Sequence, residues 1–410
     1  MALSLAQLAD RAGVDEAYVH RLIELGALDQ LEVGYGEREI HLVALLNRWE
    51  AAGLAPESIL EALDRGDLSL SFLETPGFEL PWRLGTTYRQ LAAETGVSLE
   101  LILTLHEAIG FAKPDPDDRI REDDPTIVEF AHAFLEAGAS EVAVRRMLHV
   151  YGDNLRRLAT AVSDVYRGEI EKRLRDSGMA ESELMGHGAR LGHRMGSLMR
   201  QALVAIFERH HQHVWTDYSI GLAETALERA GLRQRVERPP AICFVDLTGY
   251  TRLTEEQGDE VAARLAASLA TLVEEISFRH GGRAVRWLGD GGMFLFADPK
   301  GAVVAALEMV ERAPAEGLPP THIGIQVGPV IFQDGDVYGM TVNVAARIAA
   351  RAEAGEVLIS EEAVAHVPGP EVRFERVGPA RLKGVAEALV IYRARAAKSD
   401  SHAPGGNGRR

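Results

Sequence analysis

The 410-residue chain has little cysteine, little lysine and no long apolar run. A single thiol, Cys243, excludes a disulfide framework and any zinc site built on two thiolates. No apolar stretch approaches the ~20 residues that cross a bilayer, so no membrane partner is expected. The opening MALSLAQLADRAG has no basic flank and reaches Asp10 before its first Arg, so a signal peptide is not expected either. Positive charge is scarce: 44 Lys and Arg stand against 61 Asp and Glu, a net −17, and only five of the 44 are Lys. A polyanion would have to approach against that field, which makes DNA an unlikely partner. What remains is ordinary soluble composition, 46% hydrophobic and 26% charged, and a cytoplasmic protein is expected. The length suits roughly two to four domains.

An internal repeat occupies the N-terminal part. SLAQLADRAGVDEAYVHRLIELGAL, from Ser4, recurs from Thr87 as TYRQLAAETGVSLELILTLHEAIGF. Gln7, Leu8, Ala9, Gly13 and Val14 match Gln90, Leu91, Ala92, Gly96 and Val97 at a constant offset of 83. Each copy reads as a short helix, a glycine turn, a second helix and a later amphipathic helix, the order of a helix-turn-helix module. Both copies resemble MerR-type modules in that order. Pro76, Pro81, Pro114 and Pro116 mark the linkers, giving repeats over 1–82 and 83–150. Residues 1–80 carry five Arg, no Lys and fifteen acidic residues, the opposite of a DNA reader's footprint.

Residues 151–235 read as helical throughout, a regulatory, dimerisation and linker segment. Leu184, Gly188, Leu191, Met195, Leu198, Ala202 and Ala205 alternate steps of four and three, a seam able to pack on a partner. Gly188, Gly192 and Gly196 lie four apart, spacing that admits a close second helix or simply weakens this one. Five of the fourteen His fall between His187 and His213, including HHQH at His210–His213. Imidazole titrates in the physiological range, so this group is a candidate pH sensor or a solvated helix face.

After Pro239-Pro240 the composition shifts. AICFVDLTGYTRL reads as a buried strand entering a loop, 256–280 as an amphipathic helix, and RAVRWLGDGGMFLF as two strands around a turn at Leu288–Gly292. Residues 300–312 read as a helix, THIGIQVGPVIF as a strand, TVNVAARIAARA as a helix, and GEVLI, VRFER and ALVIYRA as closing strands. That alternation indicates an α/β or α+β domain over 236–396. A Gly/Pro/Ser-rich tail, 397–410, is expected to be disordered.

Two carboxylates sit where strand patterns give way to glycine turns, Asp246 in FVDLTGYT and Asp290 in WLGDGG. Such positions can hold a hard divalent cation beside phosphate oxygens. Backbone N–H groups around Thr248, Gly249 and Thr251, just before a helix, can cradle phosphates. In DVYGMTVNVAAR, Asn343 and Arg347 are four apart and share a helix face. RLKGV supplies Lys383.

These four motifs, in this order, are similar to the class III adenylate/guanylate cyclase catalytic domain. The resemblance implies a ferredoxin-like α+β fold, preceded here by the all-α region with its two repeats, working as a head-to-tail homodimer. It implies Asp246 and Asp290, with Leu247 beside them, as ligands of two Mg²⁺ or Mn²⁺ ions per site. It further implies Asn343 on the ribose, Arg347 on the transition state, Lys383 on the triphosphate and Asp336 on the adenine amino group. Arg286 stands where adenylate cyclases of this class carry Lys; it either still donates to adenine or marks altered base choice or a silent site. Chain layout, including the PDPDDR linker at Pro114–Arg119, also resembles cyclases whose helical N-terminal domain regulates catalysis. The expected activity is conversion of ATP to 3′,5′-cyclic AMP and pyrophosphate, regulated by the N-terminal region. The alternatives are a nucleotide-binding signalling protein without catalysis, and a helix-turn-helix DNA-binding regulator with a cyclase domain.

Overall fold

The computed structural model describes residues 3–29, 31, 34–74, 83–233, 239–383 and 387–397. Pro76, Pro81, the Gly384-Val385 end of RLKGV, residues 234–235 and the tail from Lys398 lie outside the described residues. The chain divides into two compact units, one ending at Ala226 and the other starting at Leu227. Among the described residues no helix is long and apolar enough to cross a membrane.

The first unit opens with α1 (Leu5–Ala12), α2 (Glu16–Glu24), α3 (Glu37–Ala51) and α4 (Pro56–Asp64). The second repeat follows as β1 (Arg83–Thr87), α5 (Tyr88–Thr95), α6 (Leu99–Ala108), β2 (Arg119–Arg121) and α7 (Asp124–Glu136). The repeated letters are largely helix caps. Ser4 and Gln7 form a capping box on α1, and Thr87 and Gln90 form the same box on α5. Gly13 and Gly96 close those helices in the left-handed region, at φ 74 and φ 72, where a side chain would be strained. Asp15 and Ser98 cap α2 and α6. The repeat also carries a small pairing in each copy, a bridge between Leu3 and Tyr35 and the antiparallel pair β1–β2. Each copy buries its own core, around Leu8, Leu22 and Leu46 in the first and Leu101, Ile102 and Leu105 in the second.

The helical stretch expected over 151–235 starts earlier, as α8 (Glu141–Val165), and is interrupted. A π-turn at Tyr166–Glu171 leads into α9 (Lys172–Asp176), and Gly178, at φ 91, breaks the chain before α10 (Glu181–Arg229). Of the proposed seam Leu184 is buried, whereas Met195 and Leu198 are exposed. Among the described residues of this chain the glycine stripe meets no second helix. Only Gly188 is closely approached, by the Tyr166 phenol; nothing lies near a Cβ at Gly192, and at Gly196 only the Arg200 side chain does.

The second unit holds β3 (Ala241–Leu247), α11 (Tyr250–Gln257), α12 (Asp259–Arg279), β4 (Gly282–Leu288), β5 (Gly291–Phe296), α13 (Pro299–Ala315) and β6 (Thr321–Val327). A hairpin of β7 (Ile331–Gln333) and β8 (Asp336–Tyr338) precedes α14 (Met340–Ala349), β9 (Val357–Ser360), α15 (Glu361–Val364), β10 (Val372–Ala380) and β11 (Leu389–Ala396). The seven-stranded sheet runs β10-β11-β9-β6-β3-β5-β4, antiparallel except for β6–β9. Its β6-β3-β5-β4 portion, with helices between β3 and β4 and between β5 and β6, has the ferredoxin-like order. The single helix expected over 256–280 is two helices parted at Gly258 (φ 87). THIGIQVGPVIF is likewise not one strand: Gly328 and Pro329 end β6, because proline offers no ladder N–H, and Ile331–Phe332 pair with β8 instead.

Helices α12 and α13 cover one face of the sheet, through Leu269, Ile276, Ala306 and Met309. On the other face α14 lies almost on the backbone of β6. A Cβ at Gly324 would fall 2.0 Å from the Ala349 nitrogen and 2.7 Å from the Ala345 oxygen. Gly324→Ala should therefore push α14 off the sheet and cost about 3 kcal/mol. Calorimetry would register this as a lower-temperature transition of the second unit; an unchanged transition would contradict the close approach.

Candidate active site

Strand β3 is an inner strand of the sheet, between β6 and β5, with Ala241, Ile242, Cys243, Val245 and Leu247 all buried. Its alternation turns Ile242, Phe244 and Asp246 to the face that α14 covers. Asp246 is half-buried and opposes Gly291 of β5 and His322 of β6. Asp290 occupies the two-residue turn Gly289-Asp290, tighter than the Leu288–Gly292 turn expected from the sequence. One amide ties the two together: Leu247 N–H donates to Asp246 Oδ1 at 3.0 Å and to the Asp290 carbonyl at 3.2 Å. Gly291 makes this possible, since a Cβ there would meet the Val245 oxygen at 2.5 Å and Asp246 Oδ1 at 2.9 Å. Burial, and next the charge of Asp290, hold the Asp246 carboxyl above the usual carboxylate range.

Past β3 the chain turns at Thr248, whose N–H donates to the Pro320 carbonyl at 2.9 Å. Gly249, at φ 76, caps α11, so free backbone N–H groups of its first turn gather beside the two carboxylates. Thr251 is exposed there. His322, which the sequence did not single out, sits 3.3 Å from Thr248 Oγ1 through Nδ1 and 3.8 Å from Asp246 Oδ2 through Nε2.

A second group forms at the hairpin. Arg286 of β4 pairs with the Asp336 carboxylate, and Val337 N–H donates to Asp336 Oδ1 at 2.8 Å. The neighbouring Trp287 turns the other way, donating to Glu274 at 2.9 Å and packing edge-on against Phe294, so its role is structural. Gly339 and the buried Thr341, which donates to the Pro329 carbonyl at 2.7 Å, fix the start of α14. Asn343 is exposed and Arg347 half-buried on that helix. Among the described residues, Asn343, Arg347 and the exposed Lys383 make no hydrogen bond or ion pair with either group.

These observations meet known proteins at one point. Residues 234–394 match the family described as the adenylate and guanylate cyclase catalytic domain, and residues 83–213 match the adenylate cyclase regulatory domain. Residues 234–394 are a class III cyclase domain. The chain is 28% identical over 306 residues to an adenylate cyclase of Streptomyces coelicolor, covering 74% of this chain and 77% of that one. A Mycobacterium tuberculosis protein named as a pH-sensitive adenylate cyclase is 25% identical over 319 residues, covering 75% and 77%. The crystal structure of the adenylyl cyclase CyaB from P. aeruginosa aligns with 39% of this chain and 95% of that chain, at TM-score 0.35 and 23% identity.

The donor set of this cyclase domain suits a hard divalent ion. Among the described residues no cluster of three or more His, Cys, Asp and Glu converges on one point. The Asp246 and Asp290 carboxylates do lie close enough to interact, both are oxygen donors, and their mutual repulsion is what a cation would relieve. Gly291→Ala should displace Asp246 from Asp290 and weaken Mn²⁺ binding at least about tenfold, measured by electron paramagnetic resonance of free Mn²⁺. Wild-type affinity in that variant would separate the two carboxylates from the metal.

Proposed function

We propose that the chain is an adenylate cyclase converting ATP to 3′,5′-cyclic AMP and pyrophosphate at sites shared by two copies. The observation that carries this reading is the Asp246–Asp290 pair, bound through one amide at the N-terminus of α11. Two Mg²⁺ or Mn²⁺ ions held there would lower the pKa of the ribose 3′-hydroxyl and neutralise the triphosphate. The N–H groups at Gly249 and Thr251 would bind phosphate oxygens at the positive end of α11, whereas that of Thr248, expected to join them, is taken by the Pro320 carbonyl. Asp336 would accept from the adenine 6-amino group, with Arg286 donating to the ring. Asn343 would orient the ribose, Arg347 would meet charge growing on the α-phosphoryl oxygens, and Lys383 would contact the triphosphate.

Sharing is supported by what each chain leaves unpaired. Asn343 and Arg347 have no partner in their own carboxylate pair, and Ile331, Phe332, Tyr338 and Met340 beside them are exposed. A second copy would supply Asn343, Arg347, Arg286 and Asp336 to Asp246 and Asp290 of the first. The N-terminal unit would regulate this chemistry, and the relative named as pH-sensitive supports proton-linked control. DNA reading by the repeats is opposed by their acidity and by α6, whose exposed residues include Glu100 and Glu107, which would repel phosphates.

Incubation with Mn²⁺ and ATP or GTP tests the activity directly; no cyclic product from either nucleotide would make this a binding protein. Asp246→Ala and Arg347→Ala should each be inactive yet regain activity when mixed, because a mixed dimer places both lesions in one site. With random exchange about half the dimers are mixed, so recovery should approach about a quarter of wild type. No recovery despite demonstrated subunit exchange would leave each chain with a self-contained site. Arg286→Lys should keep or raise ATP turnover, and a large loss would show that the guanidinium has a role Lys cannot fill.

A further inference from the structure

Asp246 lies between two strands that treat it differently. Its partner in register on β5 is Gly291, which has no side chain, and its partner on β6 is His322. Among the described residues, His322 is therefore the one side chain directly across the ladder from Asp246. It lies two residues from Gly324, against which α14 packs, and so shares the face of the sheet that Asp246 occupies.

Both nitrogens of this ring have neighbours, and the side chain is 17% exposed. Nδ1 lies 3.3 Å from Thr248 Oγ1, and Nε2 lies 3.8 Å from Asp246 Oδ2. A carboxylate only accepts, so it selects the tautomer with hydrogen on Nε2. Nδ1 is then the acceptor for the Thr248 hydroxyl, and one neutral ring serves both neighbours. At 3.8 Å the Nε2–H is beyond hydrogen-bond reach and acts on Oδ2 as an aimed dipole. The other oxygen, Oδ1, takes the Leu247 N–H at 3.0 Å. Asp246 thus meets one donor from its own strand and one from across the ladder, which together set the plane of its carboxylate. Thr248 holds the ring in turn. Its N–H donates to the Pro320 carbonyl and its hydroxyl meets His322, so the start of β6 grips the turn into α11 at two points.

We propose that His322 is a positioning residue for the metal site: Nε2–H orients the Asp246 carboxylate as a ligand, and Nδ1 ties the ring to the turn at Thr248. The inference rests on the reading of Asp246 and Asp290 as metal ligands. His322 is not itself a third ligand, because among the described residues no three His, Cys, Asp and Glu side chains converge on one metal position. Outer partners of this kind orient a ligating group without touching the ion, and losing one costs about 10–100-fold in metal affinity. The long contact to Oδ2 puts His322 at the low end of that range. The two nitrogens have separate duties, and amide side chains can separate them. Gln carries its terminal NH₂ near the position of Nε2, whereas Asn reaches only that of Nδ1.

Mn²⁺ binding to the full-length chain, read from the electron paramagnetic resonance of free Mn²⁺, tests the assignment. His322→Ala should weaken binding about tenfold, His322→Asn should do the same, and His322→Gln should stay within about threefold of wild type. Thr248→Val should weaken binding less than His322→Ala and add nothing to it in the double variant, since Thr248 acts through the ring. Spin-echo modulation of the bound Mn²⁺ should show no directly ligated imidazole nitrogen. Wild-type affinity in His322→Ala, equal losses in the Gln and Asn variants, or an imidazole coupling that His322→Gln removes overturns the proposal. In turnover, His322→Ala should raise the Mn²⁺ concentration for half-maximal rate about tenfold and recover most of kcat at saturating metal. A kcat that stays low at saturating metal, with binding unchanged, also overturns it. A wild type that binds Mn²⁺ but makes no cyclic product from ATP or GTP sinks the cyclase reading, and the binding series alone then decides His322. A wild type that binds no Mn²⁺ overturns both.

Discussion

Two like charges held together at the end of a buried strand are the constraint that organises the catalytic unit. Asp246 and Asp290 repel each other, and burial, with that repulsion second, raises the Asp246 carboxyl above its usual range. The fold offsets that repulsion with a flanking strand that has no side chain at Gly291, a shared amide at Leu247, and an inner strand, β3, largely buried within the sheet. A structure that accepts such a pair gains from binding a cation there and loses from leaving the pair bare. The helix terminus at Gly249 extends the same logic, since its N–H groups would favour further negative charge beside a cation held there.

Much of this was legible because the motifs are local. Asp246, Thr248 and Gly249 are neighbours in the chain, and Arg286 and Asp290 are four apart, so strand, turn and helix signals placed them without knowledge of the fold. The helix-turn-helix repeats were legible for the same reason: the matched letters Gln7, Gln90, Gly13 and Gly96 are caps, whose geometry is set within three or four residues. What stayed hidden depends on register between distant segments. His322 reaches Asp246 only because β6 pairs with β3 across 76 positions (322 − 246), with those two residues opposite each other.

Glycine spacing left its own reading open where the reason lay elsewhere in the fold. The stripe Gly188, Gly192, Gly196 allowed either a close helix pair or a weakened helix, and within the chain only the first is closely approached, by a tyrosine side chain. Gly324, which no pattern marked, takes the whole weight of α14 on its missing Cβ. The difference is physical: a glycine needed for close approach is defined by what arrives from another segment, and spacing along one helix cannot report it.

Arg286 shows how one side chain can link fold and selectivity. Its guanidinium spans from β4 to the hairpin and meets Asp336, while Val337 supplies an amide to the other oxygen of the same carboxylate. Asp336 is therefore held in one orientation before any purine arrives, with its remaining lone pairs as the acceptors left for an adenine amino group. A lysine is a point charge with rotatable donors and would orient the carboxylate less strictly; the planar fork of arginine does so at the cost of competing for it. On the proposed reading guanine would bring its own oxygen toward that carboxylate, acceptor against acceptor, so the arrangement would favour adenine through repulsion of the wrong base as much as attraction of the right one. On that reading Arg in place of Lys would leave the direction of base choice intact and place the orientation of Asp336 under the control of the chain's own β4.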